Sequence, residues 1–133
     1  TVILAADDSL VARTMIEEGL AAMGLPYIMC KTGKEAWDQL QAISAKAQTD
    51  GHTVHDKIAL VLTDLEMPEM DGFTLTRNIK QDPRFSTIPV VIHSSLTGSA
   101  NEAHVKKVGA DAYVAKFVAE DLADALRKAL RVE

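Results

Sequence analysis

The chain has 133 residues, with 14 lysines and arginines against 19 aspartates and glutamates; its formal charge of −5 offers no global field to draw in nucleic acid. That length suits one domain, which buries roughly two-thirds of its unfolded surface without a disulfide staple, and with aromatics at only 5% the core falls to aliphatic side chains. No apolar stretch approaches the ~20 residues of a membrane span, no basic, apolar, small-residue leader is evident, and the only cysteine, Cys30, cannot form an internal disulfide, all of which fits a cytoplasmic location.

Strand-like and helical runs alternate along the chain. Residues 2–6 read as a first strand. A helix over 9–23 follows, with Ala12, Ile16, Leu20 and Met23 at helical spacing and Gly24 and Pro26 to stop it. Residues 27–31 form a second strand, in which Cys30 reads as a buried core thiol. A second helix follows Gly33, with Ala36, Leu40 and Ile43 on one face and Trp37 beside them. From Ala45 to Lys57 the signal fades, and the polar stretch around Asp50-Gly51 reads as an exposed loop after an extended helix. Residues 58–63 are a third strand, 73–80 a helix, and Pro89 opens a fourth strand, where a first-position proline is tolerated. The next helix, 99–108, has only Val105 and Val108 as large aliphatics and is expected to be the least firmly packed; Gly109 caps it. A fifth strand over 112–115 and a helix over 121–131, with Leu122, Leu126 and Leu130 on one stripe, complete the pattern.

The strands are nearly continuous apolar runs, so both their faces are buried, as in a parallel sheet covered by helices. Five β-α units with right-handed crossovers give an α/β fold: a doubly wound five-stranded parallel sheet with five flanking helices. In such sheets ligands bind at the carboxyl ends of the strands. The chemically capable residues fall there: Asp7 and Asp8 after the first strand, Asp64 after the third, Ser94 and Ser95 after the fourth, Lys116 after the fifth. Three carboxylates, a hydroxyl and an ammonium on one rim suit binding a divalent cation and accepting a phosphoryl group. At ~4 Å and an effective dielectric near 20, each like-charged pair costs about 4 kcal/mol. A cation, a proton or Lys116 must offset that. Hard oxygen ligands suit Mg²⁺, with Mn²⁺ as an alternative. Asp64 is the candidate nucleophile, since a carboxylate can attack phosphorus to give an acyl phosphate; its bland alternative is a turn or helix cap. Either Ser94 or Ser95 can supply the hydroxyl. His93 reads as a satisfied strand histidine.

In order along the chain, Asp7-Asp8, the segment Asp64-Leu65-Glu66-Met67-Pro68-Glu69-Met70-Asp71-Gly72, Ser94, and Gly109-Ala110-Asp111-Ala112-Tyr113-Val114-Ala115-Lys116 resemble the two-component response-regulator receiver domains of CheY-like fold. The resemblance covers essentially all of residues 1–133 as a single receiver domain. Within that family, His93-Ser94-Ser95-Leu96-Thr97-Gly98 and Ala115-Lys116-Phe117 look most like the receiver part of CheV-type chemotaxis coupling proteins. Thr1 enters a strand almost at once, and the expectation is a piece of a longer chain with a CheW-like adaptor on its N-terminal side.

The resemblance implies strand order 2-1-3-4-5, which sets the ends of strands one and three side by side. It implies a phosphoacceptor signalling domain rather than an enzyme, with slow self-catalysed phosphotransfer and autodephosphorylation. Asp64 would be the phosphoacceptor, Asp8 a direct Mg²⁺ ligand, Asp7 an assisting ligand through water, and the Glu66 backbone carbonyl a further ligand. Lys116 would pair with Asp64 and then with the phosphoryl group. The resemblance favours Ser94 over Ser95 as the hydroxyl donor, and implies that Tyr113 changes rotamer to fill space that Ser94 leaves. Glu66 and Leu96 stand where the family borders the hydrolytic water, and shielding by Leu96 is expected to lengthen phosphoryl lifetime. Phe117 stands where the family usually has proline, so the customary cis bond after Lys116 is absent. The implied donor is a histidine kinase, CheA-like, and the implied setting is a CheW-like adaptor in a chemoreceptor array. Two alternatives remain. A HAD-like Mg²⁺-dependent phosphohydrolase uses similar groups, but its D-x-D motif differs from the adjacent Asp7-Asp8. A pure interaction module would keep the fold without accepting phosphate.

Overall fold

The computed structural model describes residues 2–94, 99–115 and 119–131. Its elements are β1 (Val2–Ala6), α1 (Leu10–Ala22), β2 (Tyr27–Cys30), α2 (Gly33–Thr49), a 3-10 turn (Val54–Asp56), β3 (Ile58–Thr63), α3 (Gly72–Gln81), β4 (Val90–Ser94), α4 (Ser99–Lys107), β5 (Ala112–Ala115) and α5 (Ala119–Arg131). The five strands form one parallel sheet in the order β2-β1-β3-β4-β5. The expected architecture and strand order are both present.

Apolar alternation on the strands divides the core between the two faces. Ile3, Ala5, Leu60, Leu62 and Val91 point toward α1 and α5, where Ile16, Leu20, Leu122 and Leu126 meet them. Leu4, Ala6, Val61 and Val90 point the other way, onto Leu40 of α2 and Leu75 and Ile79 of α3. A third, small cluster of Leu65, Ile92 and Val105 joins the start of the β3–α3 loop to α4, with Phe73 and Tyr113 packed against it. Val105 is thus the main apolar anchor of α4. The weak face expected for that helix is supplemented by a ring contact that the apolar pattern did not reveal: His104 stacks on Phe73 with centroids 3.9 Å apart.

Side-chain caps start the helices where the strands end. Ser9 Oγ accepts the Ala12 N–H at 3.3 Å, Thr32 Oγ1 that of Glu35 at 3.0 Å, and Asp71 Oδ1 that of Thr74 at 2.7 Å. Helix α2 outruns the fading signal and reaches Thr49, because Ser44 and Ala47 continue its buried stripe; Gly51, at φ +81°, then turns the chain. The following segment is less exposed than expected, since Val54 is buried against the α2–α3 face. Helix α3 begins at Gly72, one residue before the expected start, and α5 at Ala119, two before. At the opposite end of the sheet from the strand termini, Lys80 Nζ donates to Ile88 O and Asp111 Oδ2, each at 2.8 Å, and Asp111 Oδ2 also accepts the Val90 N–H.

Candidate functional site

Strand register builds the site. Ala6 is level with Thr63 of β3 and with Cys30 of β2, so the next residues, Asp7 and Asp64, leave adjacent strands together. Backbone bonds carry the alignment one step past the strands: the Asp7 N–H donates to Cys30 O at 3.1 Å, and the Asp64 N–H to Ala6 O at 2.9 Å. One carboxylate oxygen from each of Asp7, Asp8 and Asp64 lies within 4.8 Å of the others. Asp7 is fully buried, Asp64 is 7% exposed, and Asp8 faces solvent.

Two of the three carboxylates are locked by neighbouring amides. Asp7 Oδ1 accepts the Ser9 N–H at 2.9 Å, an Asx turn that leads into α1. Asp64 Oδ1 accepts the Leu65 N–H at 2.8 Å, and Thr63 Oγ1 donates to Asp64 O at 2.9 Å. Asp8 accepts no hydrogen bond among the described residues. An exposed carboxylate beside two fixed ones leaves an all-oxygen donor set of high negative charge, open on the solvent side. That set fits a hard divalent cation, and the 4.8 Å span compares with the ~4 Å between opposite ligands of an octahedral Mg²⁺ site. Among the described residues no histidine or cysteine joins a metal-ligating group.

The β3–α3 loop is seated on the site by close backbone approach. A Cβ on Gly72 would stand 2.1 Å from Asp64 O and 2.9 Å from Leu65 Cα, and a Cβ on Gly33 would stand 2.0 Å from Met70 O. Gly72 also donates its N–H to Leu65 O at 2.8 Å. Between these two contacts the loop makes a tight turn, with Met70 N–H donating to Pro68 O across Glu69, whose φ is +69°. A non-glycine residue with that φ is strained and is held by its surroundings. The packing need at Gly72 was not recognised in the sequence, although a glycine directly after a capping aspartate was its visible signal.

Ser94 is the last residue of β4 and is buried; Ile92 is level with Thr63, so Ser94 lies two residues further toward the rim beside β3. Glu66 is exposed in the loop after Asp64. Tyr113 lies on β5 level with Ile92, packs on the Leu65-Ile92-Val105 cluster, and has a buried hydroxyl rather than one at solvent. His93 is buried in β4. Ser95, Leu96, Lys116 and Phe117 lie outside the described residues. Burial, with a smaller contribution from Glu35, pushes the Cys30 thiol up to about 12, as expected for a core thiol. Arg13 is a site neighbour the sequence reading missed: its guanidinium donates to Asp7 O at 3.0 Å. Its only signal was a cation one helical turn past the Ser9 cap.

A parallel β2-β1-β3-β4-β5 sheet with an aspartate triad at its carboxyl edge matches the response regulator receiver domain over residues 3–130, and the chain belongs to that family. Its relatives include chemotaxis protein CheV3 of Helicobacter pylori, 30% identical over 128 residues that make up 96% of this chain and 40% of that protein. Chemotaxis protein CheY1 of the same organism is 30% identical over 115 residues, 86% of this chain and 83% of that one. The crystal structure of Vibrio cholerae CheY4 superposes with a TM-score of 0.77 at 27% identity, covering 98% of each chain. A response regulator from Chloroflexus aurantiacus, at 22% identity and a TM-score of 0.82, shares the fold. The chain spans about 40% of the length of the CheV proteins it matches. No described helix is long and apolar enough to cross a membrane.

Proposed function

We propose that this chain is a working phosphoacceptor in a two-component phosphorelay, with Asp64 as the acceptor. The convergence of Asp7, Asp8 and Asp64 within 4.8 Å at the sheet's carboxyl edge carries the reading. Asp8 and Asp7 would hold Mg²⁺ together with Asp64 and the Glu66 carbonyl; the ion would neutralise phosphoryl oxygens and the carboxylate charge. An Asp64 carboxylate oxygen attacks the phosphorus of a phosphohistidine, the P–O bond forms as the P–N bond breaks, and the imidazole leaves with the electron pair. The Leu65 amide on Asp64 Oδ1 fixes the carboxylate's rotamer for that attack. Ser94 donates its hydroxyl to a phosphoryl oxygen, and Lys116 pairs with the phosphoryl group.

The switch runs through the small cluster beside the site. Leu65 follows Asp64 directly and shares a cluster with Ile92 and Val105 of α4, against which Tyr113 packs. Movement of Ser94 toward the phosphoryl group gives Tyr113 new space and biases α4. Such a switch requires contacts that differ between two states. The chemotaxis names of the relatives support a CheA-like kinase as donor and a CheW-like adaptor in a chemoreceptor array as setting.

Incubation with Mg²⁺ and acetyl phosphate, followed by intact mass, tests the reading, with Asp64→Asn alongside. One added phosphoryl group is expected, absent in the mutant and without Mg²⁺. No adduct with undepleted donor would favour a constitutive interaction module. Donor consumption without an adduct, together with turnover of stable phosphate monoesters, would favour a hydrolase.

A further inference from the structure

Asp8 reaches the site on a short turn whose two neighbours are anchored by side chains as well as by backbone. Residues 7–9 join β1 to α1; beside the Asp7 N–H on Cys30 O, the Ser9 N–H donates to Asp7 Oδ1 at 2.9 Å, and the Arg13 guanidinium to Asp7 O at 3.0 Å. Arg13 is anchored in turn by its own N–H on Ser9 O at 2.9 Å, the first bond of α1. The half-buried Arg13 therefore closes a loop of contacts from Asp7 through Ser9 and back to Asp7. Its guanidinium forms no ion pair among the described residues. It binds the Asp7 carbonyl rather than a carboxylate.

We propose that Arg13 is a positioning residue for the divalent-cation site, holding the Asp7-Asp8-Ser9 turn in its ligating shape through the Asp7 carbonyl. The proposal rests on the reading of Asp7, Asp8 and Asp64 as a cation site. Positioning and simple charge make opposite predictions. Loss of a nearby cation alone would tighten divalent binding, because the carboxylates would keep more of their attraction for the ion. Loss of a positioning bond would loosen it, as removal of partners that orient metal ligands does, commonly by 10-fold or more.

The test compares wild type, Arg13→Met and Arg13→Lys. Mn²⁺ affinity is measured by electron paramagnetic resonance, and amide exchange at Ser9 by NMR in metal-free protein. Arg13→Met is expected to bind Mn²⁺ about tenfold more weakly and to exchange the Ser9 amide faster, with Arg13→Lys restoring part of both. Circular dichroism checks that each variant is folded; if Arg13→Met does not fold, Arg13→Gln replaces it with the same expectations. Unchanged or tighter Mn²⁺ binding with Ser9 still protected would overturn the proposal. Acetyl phosphate labelling of wild type separates the two claims. A wild type that binds Mn²⁺ but takes no phosphoryl group would sink the receiver reading and leave the positioning claim to its own result. A wild type that binds no Mn²⁺ would overturn both.

Discussion

Neutralising Asp8 should stabilise the metal-free protein. The substitution Asp8→Asn removes one of three charges whose ligand atoms lie within 4.8 Å of one another. Asp8 is exposed and accepts no hydrogen bond among the described residues, so the change loses no such contact. At that distance each like-charged pair repels by about 0.9 kcal/mol in a water-like dielectric and about 3.5 kcal/mol at a dielectric of 20. The exposure of Asp8 puts its two pairs near the lower figure, and physiological salt trims them further. The net expectation is a gain of about 1–2 kcal/mol. For a chain of this length, with an unfolding entropy of ~2.1 cal/mol/K per residue, that raises Tm by about 4–7 °C. Thermal melts in EDTA read the effect directly. Melts in Mg²⁺ should then narrow the gap: at a concentration 100 times its Kd, a ligand stabilises wild type by about 2.7 kcal/mol, and the variant, with one carboxylate fewer, gains less. An Asp8→Asn protein less stable than wild type in EDTA would refute the reasoning, since the three carboxylates would then not be in mutual repulsion.

Gly72→Ala should cost about 3 kcal/mol or more in urea denaturation and weaken acetyl phosphate labelling, because its Cβ would meet Asp64 O at 2.1 Å and neither backbone can yield without moving Asp64. Thr76→Val should stabilise by about 1 kcal/mol: Thr76 is fully buried in α3 and its hydroxyl has no hydrogen-bond partner among the described residues. A loss of stability would show that the hydroxyl is bonded after all. The buried Cys30 thiol, pushed up to about 12, should resist alkylation in the native protein at pH 8. Above pH ~9 the unfolded chain loses this proton while the folded chain keeps it, so the group's contribution to stability falls as pH rises from about 9 to 12. Cys30→Ala should flatten that part of the pH–stability curve.

The fold was legible because each strand is built on an apolar run that gives way to polar or charged residues. Strands β1, β3 and β5 carry the residues expected of them. Helix α2 was harder to read because its last buried positions are Ser44 and Ala47, too small to register as an apolar stripe. In the site, the carboxylates stood out because charges directly after buried strands have few structural reasons to be there. The Arg13 bond and the Gly72 contact did not, because both act on backbone atoms. A carbonyl looks the same at every position in a sequence, so a residue that grips one carries no complementary letter to find. The Phe73–His104 stack was missed for a related reason: it joins two helices by ring faces, outside any periodic pattern.

The division of the core into two broad clusters and one of three buried residues implies that the molecule does not open all at once. Each large cluster spans several strands and at least two helices, so its elements should come apart only when the whole sheet does. Among the described residues, the corner that holds α4 rests on Val105, clustered with Leu65 and Ile92, and one ring stack. Native-state hydrogen exchange should therefore find the amides of α4 released at a free energy well below that of β1 and β3. Partial opening of that corner would leave the acidic rim and the sheet intact, making α4 the element most easily moved for the least work.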